Sequence, residues 1–401
     1  MKLEFLQGLV KEADTKIVLL VLDGLGGLPS GPQGRTELEA ADTPNLDELV
    51  RRGVSGLHTP VGPGITPGSG PGHLGLFGYD PTEYTVGRGV LAALGIEFDL
   101  QPGDVAARGN FCTLDDDGRV TDRRAGRIST ETNEELCELL GEIEVDGAEV
   151  HIRTVKEHRM LFVLRAEGLS DEIEDTDPQQ TGKRPEEPLA LSPRAEKTSK
   201  LVREFLEQAS QKLADHAPAN GLLLRGFAQK PEWPTFEEAF GLRSAAIASY
   251  PMYRGVASLL GMDTPEGPAS LQDKFAIARE HWDDYDFFFI HKKSVDSRGE
   301  DGDFEAKMRS IEEADEQLQG LLDLDPDVVL VTGDHSTPAQ LAYHSWHPVP
   351  VVLWSEHCRA DAVETFGERA CLSGALGARL PAIDLMPLAL ANALRLEKFG
   401  A

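Results

Sequence analysis

The segment KIVLLVLDG spans residues 16–24 and decides the fold class of the chain. Its first seven residues are mostly apolar and rich in β-branched side chains, which is typical of a central strand buried on both faces. Similar runs follow at 285–291, 328–332 and 349–354, and residues 303–324 place apolar side chains at helical spacing. Strand–helix–strand order favours right-handed parallel crossovers. The sequence therefore predicts an α/β core whose mainly parallel sheet is flanked by helices.

The middle of the chain follows a different pattern. Short alternating segments precede a polar stretch at 170–193 that is rich in Asp, Glu and Pro. Residues 201–213 then place Leu, Val, Phe and Ala on one face of a predicted helix. We therefore predict two domains, a core formed by residues 1–100 and 241–401 and an inserted α+β domain at residues 101–240.

Charge and composition limit the classes of partner. The 401 residues include 39 Lys and Arg against 68 Asp and Glu, which gives a formal net charge of −29. A field of this sign repels nucleic acid and anionic membranes, so neither is expected as a partner, and an anionic substrate would need a local cationic pocket. The strongest apolar run is far short of the roughly 20 residues of a spanning helix. Four cysteines without a C-x-x-C spacing, and an N-terminus without a secretory pattern, predict a cytoplasmic protein with reduced thiols.

Acidic and imidazole side chains follow three of the predicted strands at the points where these strands end. Any one of these segments would be an ordinary turn if it stood alone. The carboxyl ends of parallel strands meet at one edge of a sheet, however, so we expect the three segments to lie together. Their oxygen and nitrogen atoms suit two divalent ions such as Mn²⁺ or Zn²⁺. The candidate ligands are Asp23, Asp296, Glu300, Asp334, His335 and His344.

A glycine- and proline-rich segment, GPGITPGSGPGHLG at 62–75, leads into a predicted helix. Ser69 within it has two interpretations, and its sequence context leaves both open. A serine at a helix start is most often an N-cap. Flanking glycines and helix amides would, however, let an anion approach closely, and a serine beside a metal ion can attack phosphorus. Competing motifs are incomplete, since Pro29 takes the place of the third glycine of a dinucleotide-binding pattern.

These segments resemble a known family. ITPGSGPGHLGLFGYDP (65–81), DRRAGRIS (122–129), EDGDFEAK (300–307), TGDHSTP (332–338) and HSWHPVP (344–350) are similar to the archaeal-type cofactor-independent phosphoglycerate mutases of the alkaline phosphatase superfamily. The resemblance covers nearly the whole chain in order. It implies an alkaline-phosphatase-like core and the interconversion of 2-phosphoglycerate and 3-phosphoglycerate without added bisphosphoglycerate, in glycolysis and gluconeogenesis.

The resemblance also implies roles for individual residues. Ser69 matches the serine that carries the phosphoryl group. Asp23, Ser69, Asp334 and His335 match the ligands of one metal ion, and Asp296, residue 300 and His344 match those of the other. The family usually has histidine where this chain has Glu300. A carboxylate is a harder ligand than an imidazole, so we expect metal binding with a changed preference, Mn²⁺ first and Mg²⁺, Co²⁺ or Zn²⁺ as alternatives.

Substrate binding is expected to depend on arginine. Guanidinium groups bind phosphate and carboxylate bidentately, which suits a phosphoglycerate. In so acidic a chain an arginine can equally form a surface ion pair. The resemblance suggests Asp122 as a general base and Lys274 as a phosphate ligand. The candidate substrate-binding residues are Arg108, Arg123, Arg127, Arg225 and Lys274.

Three other functions remain open at this point. A metal-dependent phosphohydrolase of the same superfamily would share the metal ligands and Ser69. A phosphomutase that acts on a sugar phosphate is the second alternative. The third is a metal-binding protein without catalysis, which the glutamate at position 300 suggests and the intact Ser69 opposes. The sequence makes no prediction of the oligomeric state.

Overall fold

The computed structural model describes residues 3–30 and 34–400. The chain divides into two compact units. Met1–Thr85 and Trp233–Ala401 form the first, here called the core unit, and Val86–Glu232 forms the second, the inserted unit. None of the helices in the described ranges is long and apolar enough to cross a membrane.

Strands contribute to both units. In chain order they are β1 (Ile17–Leu22), β2 (Val54–Thr59), β3 (Val105–Leu114), β4 (Val120–Asp122), β5 (Glu149–Lys156), β6 (Arg159–Arg165), β7 (Gly221–Ala228), β8 (Ser244–Ile247), β9 (Phe287–Lys292), β10 (Val328–Thr332), β11 (Val349–Ser355) and β12 (Gly377–Pro381).

Helices connect these strands. They are α1 (Leu3–Gln7), α2 (Glu37–Ala40), α3 (Pro44–Arg52), α4 (Ser69–Leu76), α5 (Arg88–Gly95), α6 (Thr130–Gly141), α7 (Glu196–Leu213), α8 (Phe236–Phe240), α9 (Pro251–Leu259), α10 (Leu271–Glu280), α11 (Ser294–Glu300), α12 (Phe304–Leu322), α13 (Glu368–Cys371) and α14 (Leu385–Asn392). Short 3₁₀ turns lie at Ala125–Arg127, Pro193–Ala195 and Ala382–Asp384.

The core unit is built on one sheet with the strand order β12-β2-β11-β10-β1-β9-β8. β9, β1 and β10 are parallel neighbours, as the apolar runs predicted, and all six residues of β1 are buried. β8, which no predicted run covers, adds a further parallel strand beside β9. β11 differs, since it runs antiparallel to both β10 and β2. The predicted α/β core with a mainly parallel sheet is therefore confirmed. The parallel order also places the carboxyl ends of β1, β9 and β10 at the same edge.

The inserted unit is an antiparallel sheet covered by helices. The strands follow the order β4-β3-β6-β5, and β7 pairs with the other side of β3. Leu136 of α6 and Phe205 of α7 pack in one apolar cluster with Phe162 of β6. Val90 of α5 packs in a second cluster with Leu161. This arrangement is the predicted inserted α+β fold.

The two units meet along the chain at 85/86 and 232/233. Residues 86–100 thus belong to the inserted unit and residues 233–240 to the core unit, whereas the predicted boundaries assigned each of these segments to the other unit. The physical reason is α5, because Val90 and Ala93 are fully buried against strands of the inserted sheet. Sequence composition cannot assign such a helix to a domain, because its apolar face could pack equally well against the sheet of either unit.

Candidate active site

Acidic and imidazole side chains meet at the carboxyl edge of the core sheet. Asp23 follows β1, Asp334 and His335 follow β10, and all three are fully buried. The Nε2 atom of His335 lies 3.4 Å from Asp23 Oδ1 and 3.2 Å from Asp334 Oδ2. The parallel register brings them together, because Val21 pairs with Thr332 in the last position of the β1–β10 ladder.

Ser69 opens helix α4 beside this edge. Its Oγ atom lies 3.1 Å from His335 Nε2. The N-cap is Gly68 and has no side-chain capping bond, so the structure gives Ser69 no capping role. Gly72 brings the helix close, because a Cβ atom there would stand 2.5 Å from the carbonyl oxygen of Asp334. The serine hydroxyl is thereby held against the Asp334–His335 loop.

His344 and Glu300 lie on the other side of His335. The His344 ring stacks on the His335 ring with 3.7 Å between centroids, and its Nδ1 atom donates to the Pro67 carbonyl at 3.0 Å. Its Nε2 atom lies 3.5 Å from Asp296 Oδ1 and 3.7 Å from Glu300 Oε1. The Glu300 side chain is 51% exposed, whereas Asp296 is fully buried.

These side chains form two overlapping groups that could each hold a metal ion. One group is Asp23, Asp334 and His335, and the other is Asp296, His335 and His344, with the ligand atoms of each within 4.8 Å of one another. Asp23 Oδ1 and Asp334 Oδ2 are buried and lack a hydrogen-bond partner among the described residues. Buried carboxylate oxygens are costly without a partner, so a divalent cation fits here. We call Asp23, Asp296, Asp334, His335 and His344 the carboxylate–histidine cluster.

Lys293 also contacts this cluster, although no sequence pattern indicates it. Its ammonium lies 3.2 Å from Asp23 Oδ2 and forms an ion pair with Asp296. Burial would raise the pKa of Asp23, but the hydrogen bond from His291 and the charge of Lys293 hold that pKa well below its usual value. A lysine three residues before a candidate ligand has no recognisable motif, so only the fold reveals it.

A set of buried polar side chains supports the two aspartates. Tyr253 and His291 both donate hydrogen bonds to Asp23 Oδ2. His73 lies 3.2 Å from Asp334 Oδ2 and donates from Nδ1 to the Ser69 carbonyl at 2.8 Å. Burial and the nearby charge of Asp23 raise the pKa of Asp334 to about 6. The sequence analysis did not single out Tyr253, His291 or His73.

The inserted unit holds a second concentration of charge, of opposite sign. Arg108 on β3 pairs directly with Arg225 on β7, and Arg88 and Arg159 lie close enough to repel it. The Nε atoms of Arg108 and Arg225 are buried without a hydrogen-bond partner among the described residues. Burial and the three neighbouring guanidinium groups lower the pKa of Arg108 to about 10. We call Arg88, Arg108, Arg159 and Arg225 the arginine cluster.

Arg123 lies at the border of the arginine cluster. It donates two hydrogen bonds to Asp177, at 2.9 and 2.6 Å, and the Asp177 side chain is fully buried. Arg225 Nη1 lies 3.5 Å from the same carboxylate. Asp177 therefore holds Arg123 and Arg225 side by side, although the sequence analysis did not include it.

The remaining candidates have contacts of their own. Asp122 accepts hydrogen bonds from the amides of Arg124 at 2.8 Å and Gly126 at 2.7 Å, which lowers its pKa. Arg127 is exposed at the end of the adjoining 3₁₀ turn. Lys274 is buried and donates to the His291 carbonyl at 2.5 Å, so its ammonium contacts the backbone of β9 and not the cluster.

A mainly parallel α/β sheet with carboxylate and imidazole ligands and a serine at its carboxyl edge is typical of metal-dependent enzymes that act on phosphate esters. Comparison with known proteins gives the family. The family model described as 2,3-bisphosphoglycerate-independent phosphoglycerate mutase matches residues 50–220. A probable enzyme of this description from Aquifex aeolicus is 51% identical over 409 residues, covering 100% of both chains. One from Thermus thermophilus is 51% identical and covers 99% of this chain and 98% of its own.

Solved structures agree with this result. The cofactor-independent phosphoglycerate mutase from Thermoplasma acidophilum is 32% identical with a TM-score of 0.75, covering 94% of this chain and all of its own. A protein from Pyrococcus horikoshii is 30% identical with a TM-score of 0.83, covering 96% and 99%. The chain belongs to the family of 2,3-bisphosphoglycerate-independent phosphoglycerate mutases, and it is an isomerase of that type. The resemblance seen in the sequence and the enzyme class that it implied are confirmed.

Proposed function

We propose that the protein interconverts 2-phosphoglycerate and 3-phosphoglycerate through a phosphoserine at Ser69, as a cytoplasmic enzyme of glycolysis and gluconeogenesis. The observation that carries this proposal is the position of the Ser69 hydroxyl, whose Oγ atom lies 3.1 Å from His335 Nε2. It opens α4, where free backbone amides favour an anion. A serine that caps no helix and faces a ring nitrogen is suited to nucleophilic attack.

Two divalent cations are part of the proposal, with Mn²⁺ as the expected metal. We assign one to Asp23, Ser69, Asp334 and His335 and the other to Asp296, Glu300 and His344. The oxygen and nitrogen donors and the unpartnered oxygens of Asp23 and Asp334 support the assignment. When bound, the cations would lower the pKa of the serine hydroxyl and neutralise charge on the phosphoryl group.

The transfer would take place in two steps. Ser69 gives up its hydroxyl proton as a bond forms between its Oγ atom and phosphorus, while the bond from phosphorus to the substrate oxygen breaks and that oxygen takes up a proton, which leaves glycerate and a phosphoserine. The other hydroxyl of glycerate then loses its proton and attacks phosphorus, and Ser69 Oγ leaves and is protonated again. Lys293 balances the charge of Asp23 and Asp296 throughout. His73 anchors the start of α4 through the Ser69 carbonyl.

The substrate has about three negative charges near neutrality, so its binding needs cations. We assign this binding to Arg108, Arg123, Arg127, Arg225 and Lys274, the last of which would exchange its hydrogen bond to the His291 carbonyl for one to the phosphate. The buried, unpartnered Nε atoms of Arg108 and Arg225 support the assignment for these two residues. We assign proton transfer on glycerate to Asp122, whose two amide hydrogen bonds keep it ionised.

Cytoplasmic location is consistent with the cysteines. Cys112, Cys137, Cys358 and Cys371 are all free thiols, and Cys112, Cys137 and Cys371 are buried. Free thiols in a chain of this size are typical of a reducing compartment.

The test is a turnover assay that separates the mutase from a phosphohydrolase. Purified protein is incubated with Mn²⁺ and 3-phosphoglycerate, and both 2-phosphoglycerate and free phosphate are measured. We expect 2-phosphoglycerate as the main product, and Ser69→Ala should abolish its formation. Ser270→Ala is the matched control, because Ser270 caps α10 in the same unit and should leave turnover unchanged. Release of free phosphate alone would favour the phosphohydrolase, and no product at all would favour a protein without catalysis.

A further inference from the structure

Thr337 lies between the two groups of candidate metal ligands. Its side chain is fully buried. Its hydroxyl forms one hydrogen bond of 2.9 Å with His335 Nδ1 and another of 2.6 Å with Asp296 Oδ1. His335 belongs to both candidate metal groups and Asp296 to one of them. A single hydroxyl therefore contacts the shared histidine and the carboxylate beside it.

The direction of these two hydrogen bonds follows from the available protons. An ionised carboxylate only accepts, so the single proton of the Thr337 hydroxyl is donated to Asp296. The hydroxyl oxygen then accepts the proton on Nδ1 of His335. A neutral imidazole has one N–H, so a ring protonated at Nδ1 presents a lone pair at Nε2. That Nε2 atom lies 3.1 Å from the Ser69 hydroxyl and 3.2 Å from Asp334.

The packing around Thr337 fixes which way its hydroxyl points. A Cβ atom at Gly24 would stand 2.6 Å from the Thr337 hydroxyl oxygen, and one at Gly299 would stand 3.0 Å from its methyl carbon. Gly24 therefore packs against the hydroxyl group of the side chain, and Gly299 packs against its methyl group. Exchanging the methyl and the hydroxyl would place an apolar group against Asp296, which the buried carboxylate disfavours.

The backbone of Thr337 is held as firmly as its side chain. The buried ammonium of Lys307 donates to the carbonyls of Thr337 at 2.8 Å and Gly26 at 2.9 Å. The amide of Thr337 donates to the Gly26 carbonyl at 3.0 Å. The loops after β1 and β10, which carry Asp23 and Asp334, are thus joined at this residue.

We propose that Thr337 is a positioning residue for both metal groups, because its hydroxyl fixes the Nδ1-protonated tautomer of His335 and orients Asp296. This inference rests on the proposed function, since it assumes that His335 and Asp296 bind metal. Removal of a side chain that orients a metal-binding histidine typically weakens metal binding about 10- to 100-fold. Valine at this position keeps the shape of threonine and removes only the hydroxyl.

The test is the affinity of the full chain for Mn²⁺, measured by calorimetry without substrate. We expect Thr337→Val to weaken Mn²⁺ binding about 10- to 100-fold. Thr337→Ser, which restores the hydroxyl, should bind within about threefold of the wild type. Thr337→Ala also lacks the hydroxyl and should weaken binding as much as Thr337→Val does. It replaces Thr337→Val in the test if that variant does not fold. Visible absorption of bound Co²⁺ should change in the valine and alanine variants and not in the serine variant.

Thr198→Val is the matched control, because Thr198 is equally buried but its hydroxyl accepts from the Ser170 amide in the inserted unit. It should bind Mn²⁺ like the wild type. Equal Mn²⁺ affinity of Thr337→Val and the wild type would overturn the inference and leave the proposed function intact. A serine variant as weak as valine would also overturn it. A wild type that binds no Mn²⁺ would instead contradict the proposed metal sites, and the inference would fall with them.

Discussion

The carboxylate–histidine cluster of the core unit and the arginine cluster of the inserted unit are opposites in charge. The first buries Asp23, Asp296 and Asp334 together, and the second gathers four guanidinium groups on and beside β3 and β7. Each cluster brings like charges close together, and the carboxylates are fully buried as well, which costs folding stability. A chain with a net charge of −29 can thus still gather four guanidinium groups in one place, because local structure separates the two signs.

The largest effect is expected from Asp334→Asn in the carboxylate–histidine cluster. It should lower mutase turnover at least about 1,000-fold, because a ligand charge is lost. The metal-free protein should become more stable by about 1–3 kcal/mol at pH 8, since the pKa of Asp334 is raised to about 6 and its charge therefore costs folding energy above that pH. Turnover assays and thermal unfolding with a chelator measure the two effects.

Asp323→Asn is the control for this variant, since Asp323 is exposed and accepts a hydrogen bond from Gln319 at 2.7 Å. It should change neither quantity. A metal-free Asp334→Asn protein that is less stable than the wild type would contradict the idea that the cluster is maintained for function at the expense of stability.

A smaller effect is expected in the arginine cluster. Arg108→Met should lower kcat/KM for 3-phosphoglycerate about 100-fold, because a charged hydrogen bond to the substrate contributes about 2–5 kcal/mol. Free phosphate should rise relative to 2-phosphoglycerate, since glycerate is held less firmly. Arg203→Met, which removes an exposed arginine paired with Glu187, should have no effect. If Arg108→Met lowers the formation of 2-phosphoglycerate and of free phosphate in equal proportion, the arginine cluster has no role in holding glycerate.

The third effect concerns the residue that departs from the family pattern. Glu300→His should change turnover less than about 10-fold but shift the best metal from Mn²⁺ towards Co²⁺ or Zn²⁺, because imidazole is a softer donor. Activity measured across these metals tests the shift. Glu316→His on the exposed face of α12 should leave the order of metals unchanged. The same metal order in Glu300→His and the wild type would place residue 300 outside the metal group.

The sequence predicted much of the core unit and little of what supports its site. Asp23 and Asp334 follow apolar runs, and the parallel order of β1 and β10 was enough to expect them together. Lys293, Tyr253 and Thr337 escaped notice because their contacts depend on three-dimensional packing and form no spacing pattern.

The inserted unit was harder to predict for a related reason. Its arginines are scattered along the chain, and Arg88 and Arg159 join Arg108 only through the folded sheet. The structure places Arg127 at the exposed end of a 3₁₀ turn and Arg123 beside Asp177, while cross-strand register brings Arg108 next to Arg225. This pairing across antiparallel strands forms no pattern in the local sequence.

The smallest effect is expected at Glu368, a carboxyl outside both clusters. Burial raises its pKa to about 7, although Thr36 and the Gly27 amide donate to it. The folded state then holds a proton that the unfolded state has released, so stability should fall as pH rises from about 4.5 to 7. Glu368→Gln should remove about 1 kcal/mol of this fall without changing turnover, as chemical unfolding at several pH values would measure. If the free energy of unfolding depends on pH in the same way in Glu368→Gln and in the wild type, burial does not raise the pKa of Glu368.

The central claim is that Ser69 carries the phosphoryl group during the reaction. The direct measurement is rapid acid quenching of the Mn²⁺-loaded enzyme with 3-phosphoglycerate, followed by peptide mass analysis. We expect one phosphoryl group on the peptide that contains Ser69, and none in Ser69→Ala. Continued mutase turnover with no phosphoryl group at Ser69, or with the group on another residue, would contradict it.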